Sequence, residues 1–377
     1  MTSEERILKT LSHQEPDHVP FDLGGTIVTG ITKGIYSRLL EYRGLTREVR
    51  VLDYVQQLAQ IDEDVARWLE IDTKCGFPGI SRKNPLIKEE GNYFYFEDEW
   101  GIRWGMPKSG GLYFDVISNP LAKIENIDDV EKYPWPDPGA EILKDLEEEI
   151  GRQNQEKILI IESFGSGIFE TALRLRGYEQ FLIDLTLAPG LAEAILEQIL
   201  EVKLRYIDLL NQNFKGRIHI LREGDDLATQ QSLLISKEMY QRFIKPKHRQ
   251  LFEYAKKLLG PSFYIFFHSC GAVYDLIPDF IEAGIDILNP VQLSASKMNP
   301  EKLKRDFGKL ITFWGGGVDT QGTLLRGSKD DVREEVKRNI ETFAPGGGYV
   351  FAAVHNIQDD IPVENLVTMW EAWKSKS

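Results

Sequence analysis

Eight short apolar segments recur along the chain with amphipathic stretches between them: Val19–Leu23, Ile71–Phe77, Ile158–Ser163, Arg217–Arg222, Phe263–Phe267, Ile285–Asn289, Leu310–Trp314 and Tyr349–Ala353. Most are dense in Ile, Val, Phe and Leu without polar alternation, the pattern of strands buried on both faces. Leu191–Asn213, Lys237–Leu259, Val273–Ala283 and Lys329–Phe343 instead carry apolar residues at helical spacing. Eight strand–helix alternations predict an α/β fold closed into a single (β/α)8 barrel, the TIM barrel, rather than an open doubly wound sheet. The whole chain, residues 1–377, is expected to form that one domain. One region breaks the rhythm. Between residues 80 and 125, Asn92-Tyr93-Phe94-Tyr95-Phe96, Trp100-Gly101-Ile102-Arg103-Trp104 and Gly111-Leu112-Tyr113-Phe114-Asp115 are separated by turn-like stretches. They predict antiparallel strands inserted between the second and third barrel strands, placed to cover the barrel mouth or to serve contacts between subunits of a homo-oligomer.

Composition narrows the function classes. A formal net charge of −14 argues against a nucleic-acid surface, which needs Lys and Arg to neutralise phosphates. No run approaches the roughly 20 apolar residues that span a bilayer, and Met1 to Asp17 is polar rather than signal-like. Two cysteines are too few for a disulfide framework, so a reducing, cytoplasmic setting is expected.

In a barrel of this kind the chemistry sits at the C-terminal ends of the strands. The first strand delivers Asp22 there, the third Glu162, the fourth Glu223 with Asp225 and Asp226, the fifth His268 and Cys270, the sixth Asn289 and Gln292, the seventh Trp314, and the eighth His355. Phe266-Phe267-His268-Ser269-Cys270-Gly271 is the most pointed of these, because imidazole and thiolate are ligands zinc prefers, and a catalytic zinc takes three protein ligands and keeps one position open. His268, Cys270 and His355 are therefore the candidate metal ligands, with Glu223 the alternative to His355 for the third position. Glu223 and Asp226 are also candidates for proton transfer, and Asp22, Glu162, Asn289, Gln292 and Trp314 for substrate binding. Cys75 reads as a buried structural cysteine. Asp225 reads as a loop acid capping the next helix. His13, His18, His219 and His248 suggest no chemistry, and Gly315-Gly316-Gly317 lacks the Lys-Ser or Lys-Thr of a nucleotide loop.

Phe267-His-Ser-Cys-Gly-Ala272, Gly284-Ile-Asp-Ile-Leu-Asn-Pro-Val-Gln292, Phe313-Trp-Gly-Gly-Gly-Val-Asp-Thr-Gln321, His355-Asn-Ile-Gln358 and Pro362-Val-Glu-Asn365 together resemble the uroporphyrinogen decarboxylase superfamily, densely from about residue 215 onward. The resemblance implies a (β/α)8 barrel and one of two chemistries: cofactor-free decarboxylation of a porphyrinogen, or zinc-dependent methyl transfer to or from a corrinoid protein. The decarboxylases hold their anionic substrate with arginines in an N-terminal motif. Here no arginine occurs between Arg6 and Arg38, and the corresponding strand end reads Pro20-Phe-Asp-Leu-Gly-Gly25. His268 and Cys270 match the His-x-Cys zinc motif of the methyltransferases, so the resemblance points to that branch. One departure is plain. The coenzyme M methyltransferases of the superfamily carry a second cysteine where this chain has His355, and no cysteine follows Cys270. One thiolate fewer leaves a metal more Lewis-acidic, which favours an ether or amine substrate over a thiol. The expectation is a zinc-dependent methyltransferase acting between a small methylated substrate, a methoxyaromatic above all, and a corrinoid (cobalamin) carried by a partner protein. The alternatives are a metal-independent decarboxylase and a non-catalytic corrinoid or tetrapyrrole carrier.

Overall fold

The computed structural model describes residues 1–78, 80–139, 142, 144, 146–147 and 157–376. Its strands, in chain order, are β1 (Val51–Asp53), β2 (Leu58–Ala59), β3 (Thr73–Gly76), β4 (Lys88–Glu90), β5 (Tyr93–Glu97), β6 (Arg103–Pro107), β7 (Asp115–Ser118), β8 (Ile158–Glu162), β9 (Ile220–Gly224), β10 (Tyr264–His268), β11 (Ile287–Asn289), β12 (Thr312–Trp314) and β13 (Tyr349–Val350). Seven of them form one parallel sheet in the order β13-β12-β11-β10-β9-β8-β3. Residues 20–22 stand between its two edges. Phe21 bridges Phe351 in parallel, Asp22 N–H donates to Phe351 O (2.9 Å), and Asp72 N–H donates to Phe21 O (2.9 Å). These contacts close the sheet into a TIM-barrel-like fold.

The expected first strand, Val19–Leu23, is thus reduced to one bridge. Pro20 has no N–H to give a ladder, and the chain beyond Asp22 turns at once, with Gly25 N–H on Asp22 Oδ1 (2.8 Å). Side-chain alternation divides the apolar residues into two shells. Ile158, Ile160, Ile220, Phe266, Ile287, Trp314 and Val350 gather in the barrel interior with Ile7 and Leu11 of the N-terminal helix Ser3–Leu11. Leu159, Ile161, Leu221, Ile265, Phe267, Leu288 and Phe313 point outward under the surrounding helices. Each such side chain contributes roughly 1.5–3 kcal/mol by leaving water. The expected helix Lys237–Leu259 is broken by a π-helical turn, Tyr240–Ile244, before Lys245–Leu259 resumes. Pro246 has no N–H to give the carbonyl of Arg242, and the wider turn accommodates its ring.

Between β3 and β8 in the chain, β4 to β7 form a four-stranded antiparallel sheet. Its β5–β6 turn is organised by Asp98, which accepts from Trp100 N–H (2.9 Å), Ile102 N–H (3.0 Å) and the Trp104 indole (2.7 Å). The turn packs on the loop after β8, where the Trp100 and Phe164 rings lie 5.8 Å apart. Burial pushes the Asp98 carboxyl from 3.8 up to about 6. A raised carboxyl stabilises the fold when protonated, so its contribution is complete below about pH 4 and is lost as the pH rises through 6. The Trp fluorescence of the insertion is expected to titrate with a midpoint near 6, and Asp98→Asn to abolish that step. An unchanged titration in the variant would show that another group is responsible.

Candidate metal centre

The segment after β10 is pinned through consecutive backbone amides. Ser269 N–H donates to Asn289 O (2.8 Å), Cys270 N–H to Asp226 Oδ1 (2.8 Å), Gly271 N–H to Gln292 Oε1 (2.9 Å) and Ala272 N–H to Thr229 O (2.8 Å). Gly271 has φ +88°, and a Cβ there would stand 2.4 Å from Thr229 O. Gly224, in register with His268 across β9 and β10, leaves no room for a side chain either: its Cβ would meet His268 O at 2.6 Å. These close approaches fix where His268 and Cys270 point.

His268 Nε2 and Cys270 Sγ are 3.3 Å apart, and the ligand atoms of His268, Cys270 and His355 all lie within 4.8 Å of one another. Tetrahedral zinc with ordinary bond lengths separates its nitrogen and sulfur ligands by roughly 3.5 Å, so the donor set and its spacing fit that ion. The two imidazoles meet edge to face, with centroids 5.3 Å apart. His355 follows β13 in a left-handed backbone conformation, φ +73°. A histidine held there carries strain of the kind that collects at functional sites.

The tautomer of His268 follows from its neighbour. Asn289 gives its amide N–H to Trp314 O (2.8 Å), so its Oδ1, 2.6 Å from His268 Nδ1, is an acceptor. Nδ1 therefore carries the proton and Nε2 turns a lone pair to the cluster. Burial lowers the His268 pKa to about 3 and pushes that of His355 below its ordinary value, so both rings are neutral near pH 7. The Cys270 thiol is pushed well above its ordinary range, first by burial and then by the carboxylates of Asp226 and Glu170. Removing the Asn289 support by Asn289→Ala is expected to lower zinc affinity by about 10- to 100-fold, measured by competition with a chromogenic chelator. Unchanged affinity would mean that the ring is oriented by something else.

The structure gathers only part of the sequence-derived set around the cluster. Asp226 belongs to it, with Oδ1 3.8 Å from His268 Nε2 and a partly exposed side chain. Asn289 faces His268 Nδ1 with its Oδ1 and gives its amide N–H to Trp314 O, Gln292 Oε1 accepts from Gly271 N–H, and the Trp314 indole donates to Asp22. Asp22 is buried and fully bonded, accepting from Thr73 Oγ1 (2.6 Å), Gly25 N–H (2.8 Å) and the Trp314 indole (2.7 Å). Glu223 is not brought to the cluster. It lies on the outward face of β9, with both carboxylate oxygens 2.9 Å from Lys203 Nζ of the helix Pro189–Phe214. The reason is strand parity: Ile220 faces inward, so Arg222 does too, and Glu223 must face out. Asp225 caps a helix, though not the next one: it accepts from Phe169 and Glu170 N–H of the earlier helix Ile168–Arg176 (3.1 and 2.7 Å) and bonds His248 Nε2 (2.6 Å). Cys75 lies buried in the barrel interior.

Two residues near the site escaped the sequence reading. Glu170, paired with Arg174 at 2.7 Å, adds to burial and Asp226 in raising the Cys270 thiol, from a helix start with no motif to mark it. Arg222 faces into the barrel beside Glu162, Nη1 3.6 Å from Oε2. The same parity that exiles Glu223 identifies Arg222, since a strand with Ile220 inside puts a guanidinium inside.

The chain is a TIM-barrel-like protein in which His268, Cys270 and His355 meet beyond the C-terminal ends of the strands. The uroporphyrinogen decarboxylase (URO-D) family model matches residues 101–376, and the chain belongs to that family. Along its whole length the fold is similar to a methyltransferase from Methanosarcina mazei, with TM-score 0.67, 17% identity, and coverage of 100% of this chain and 99% of that one. An endo-1,4-beta-xylanase of Penicillium canescens aligns over 69% of this chain and 82% of its own at 10% identity, and its TM-score of 0.35 is too low to carry weight. No curated protein sequence matches significantly. Among the described residues no helix is long and apolar enough to cross a membrane.

Proposed function

We propose that the chain is a zinc-dependent methyltransferase that moves a methyl group between a small methylated substrate, preferentially an O-methyl aromatic, and a corrinoid carried on a partner protein. The observation that carries this reading is the convergence of His268 Nε2, Cys270 Sγ and the His355 ring at the barrel mouth, within 4.8 Å of one another. Family membership and the whole-length likeness to a methyltransferase support it.

His268, Cys270 and His355 would hold the ion. When bound, zinc supplies a Lewis acid for the electron pair left on the substrate heteroatom, and the corrinoid's cobalt(I) supplies the pair that takes the methyl. Two neutral imidazoles and one thiolate leave such a site with a residual positive charge, which suits an ether oxygen. His268 is held in the metal-binding tautomer by Asn289, and the Cys270 amide is fixed by Asp226. Asp226, with solvent access beside the cluster, is suited to pass a proton to the departing heteroatom. Glu223 takes no part, because its carboxylate is neutralised by Lys203 outside the barrel wall.

The decarboxylase alternative needs a cleft with several unengaged cations. Among the described residues, Arg82 is bound to Asp53 (Nε to Oδ1, 3.0 Å) and Arg174 to Glu170 (2.7 Å), and the incompletely bonded Arg222 is a single guanidinium, too few to receive a macrocycle bearing many carboxylates. The test is methyl transfer from methoxyaromatics, methylamines and methyl thiols to cob(I)alamin, alongside metal analysis of the purified chain. About one zinc per chain and turnover of methoxyaromatics are expected. Turnover that survives complete removal of zinc, or metal-independent carbon dioxide release from a porphyrinogen, would overturn the reading.

A further inference from the structure

Among the described residues, Arg222 is a barrel cation whose bonding is incomplete. Its side chain is only 6% exposed, yet its one ionic contact, to Glu162 at 3.6 Å, is longer than a hydrogen bond. Arg222 Nε and Glu162 Oε2 are both buried with no hydrogen-bond partner among the described residues. Glu162 is otherwise anchored by Ile27 N–H on Oε1 (2.7 Å). A guanidinium carries five donors in a fixed fork, and a buried donor left unmade is costly. The position is also specific. Arg222 lies one inward step below Gly224, which pairs with His268 at the end of the neighbouring strand.

We propose that Arg222 is a specificity-determining residue that receives a carboxylate of the methylated substrate on its Nε edge, beneath the His268, Cys270 and His355 cluster. Glu162 occupies the Nη1 side and keeps the fork turned. The Nε edge offers two parallel N–H groups, which match a carboxylate in bidentate fashion. One such receptor suits a small monocarboxylate. A neutral methyl ether would leave the fork unmade.

The inference rests on the mouth being the methyl-substrate pocket, so its test is a binding measurement that needs no turnover. Calorimetric titration of the zinc-loaded protein with 3-hydroxybenzoate and with phenol compares a carboxylate with its neutral counterpart. The wild type is expected to bind 3-hydroxybenzoate about 10- to 100-fold more tightly than phenol. Arg222→Met should bring that ratio close to one with zinc content unchanged, and Arg222→Lys, which keeps the charge without the fork, should give an intermediate ratio. The Lys variant also serves if the Met variant fails to fold. Equal affinities in the wild type, or an undiminished preference in the folded variants, would overturn the proposal. Failure of methyl transfer from every substrate would overturn the functional reading instead, and the two results are separately readable.

Discussion

Cys270→Ala and His268→Ala are each expected to purify without zinc and to lose methyl transfer to background, while keeping the wild-type fold by circular dichroism. Removing a direct ligand should cost more than the roughly 10- to 100-fold that removal of a supporting residue costs, so a loss of affinity above 100-fold is expected. The two variants differ in one measurable respect. In the metal-free protein both histidines are neutral near pH 7 because burial disfavours their charge, whereas burial keeps the Cys270 thiol protonated. Zinc binding to the wild type should therefore displace about one proton, and apparent affinity should rise about tenfold per pH unit below the thiol pKa. Calorimetry in buffers of different ionisation enthalpy reads that proton directly. Cys270→Ala should release none in whatever residual binding remains. Retention of both zinc and activity in either variant would refute the metal centre.

The second large effect concerns stability. Lys203→Met is expected to destabilise the protein by about 3–5 kcal/mol, because it leaves the Glu223 carboxylate buried without its counter-charge. The side chains of Lys203 and Glu223 are 1% and 4% exposed, and burial already pushes the Glu223 carboxyl upward. Replacing both partners together, Lys203→Met with Glu223→Leu, should recover most of the loss, since an apolar pair of similar volume avoids the desolvation cost. Glu223→Gln should leave zinc content and methyl transfer near wild type while lowering the denaturation midpoint. A collapse of kcat in Glu223→Gln with unchanged stability would instead give Glu223 a chemical role that its place outside the barrel wall does not suggest.

Much of this was legible in the residues alone. Eight apolar segments separated by helical patterns required a parallel barrel, since strands buried on both faces need helices around them. His268 and Cys270, one residue apart at a strand end, required a shared location. The paired strand ends that fill the mouth could be named for the same reason. Strand limits were less legible. Val19–Leu23 has a strand's composition, but Pro20 and the turn after Asp22 leave it one bridge.

The separation between sequence and tertiary structure is sharpest on β9. The run Ile220-Leu221-Arg222-Glu223-Gly224 says that charge arrives at the barrel mouth, but only the sheet's registration decides which face each residue takes. A strand's period of two sends Arg222 inward and Glu223 outward, and a one-residue shift would exchange them. The sequence by itself pointed to the barrel and named His268, Cys270 and His355, with Glu223 as the rival for the third place. The tertiary structure decided between the two by bringing His355, from the far end of the chain, to the pair, while Lys203 holds Glu223 away and Asn289 sets the His268 tautomer. Those contacts join residues up to 87 positions apart within the cluster, and no local pattern encodes a distance that depends on how seven strands and the bridge at Phe21 close around one another.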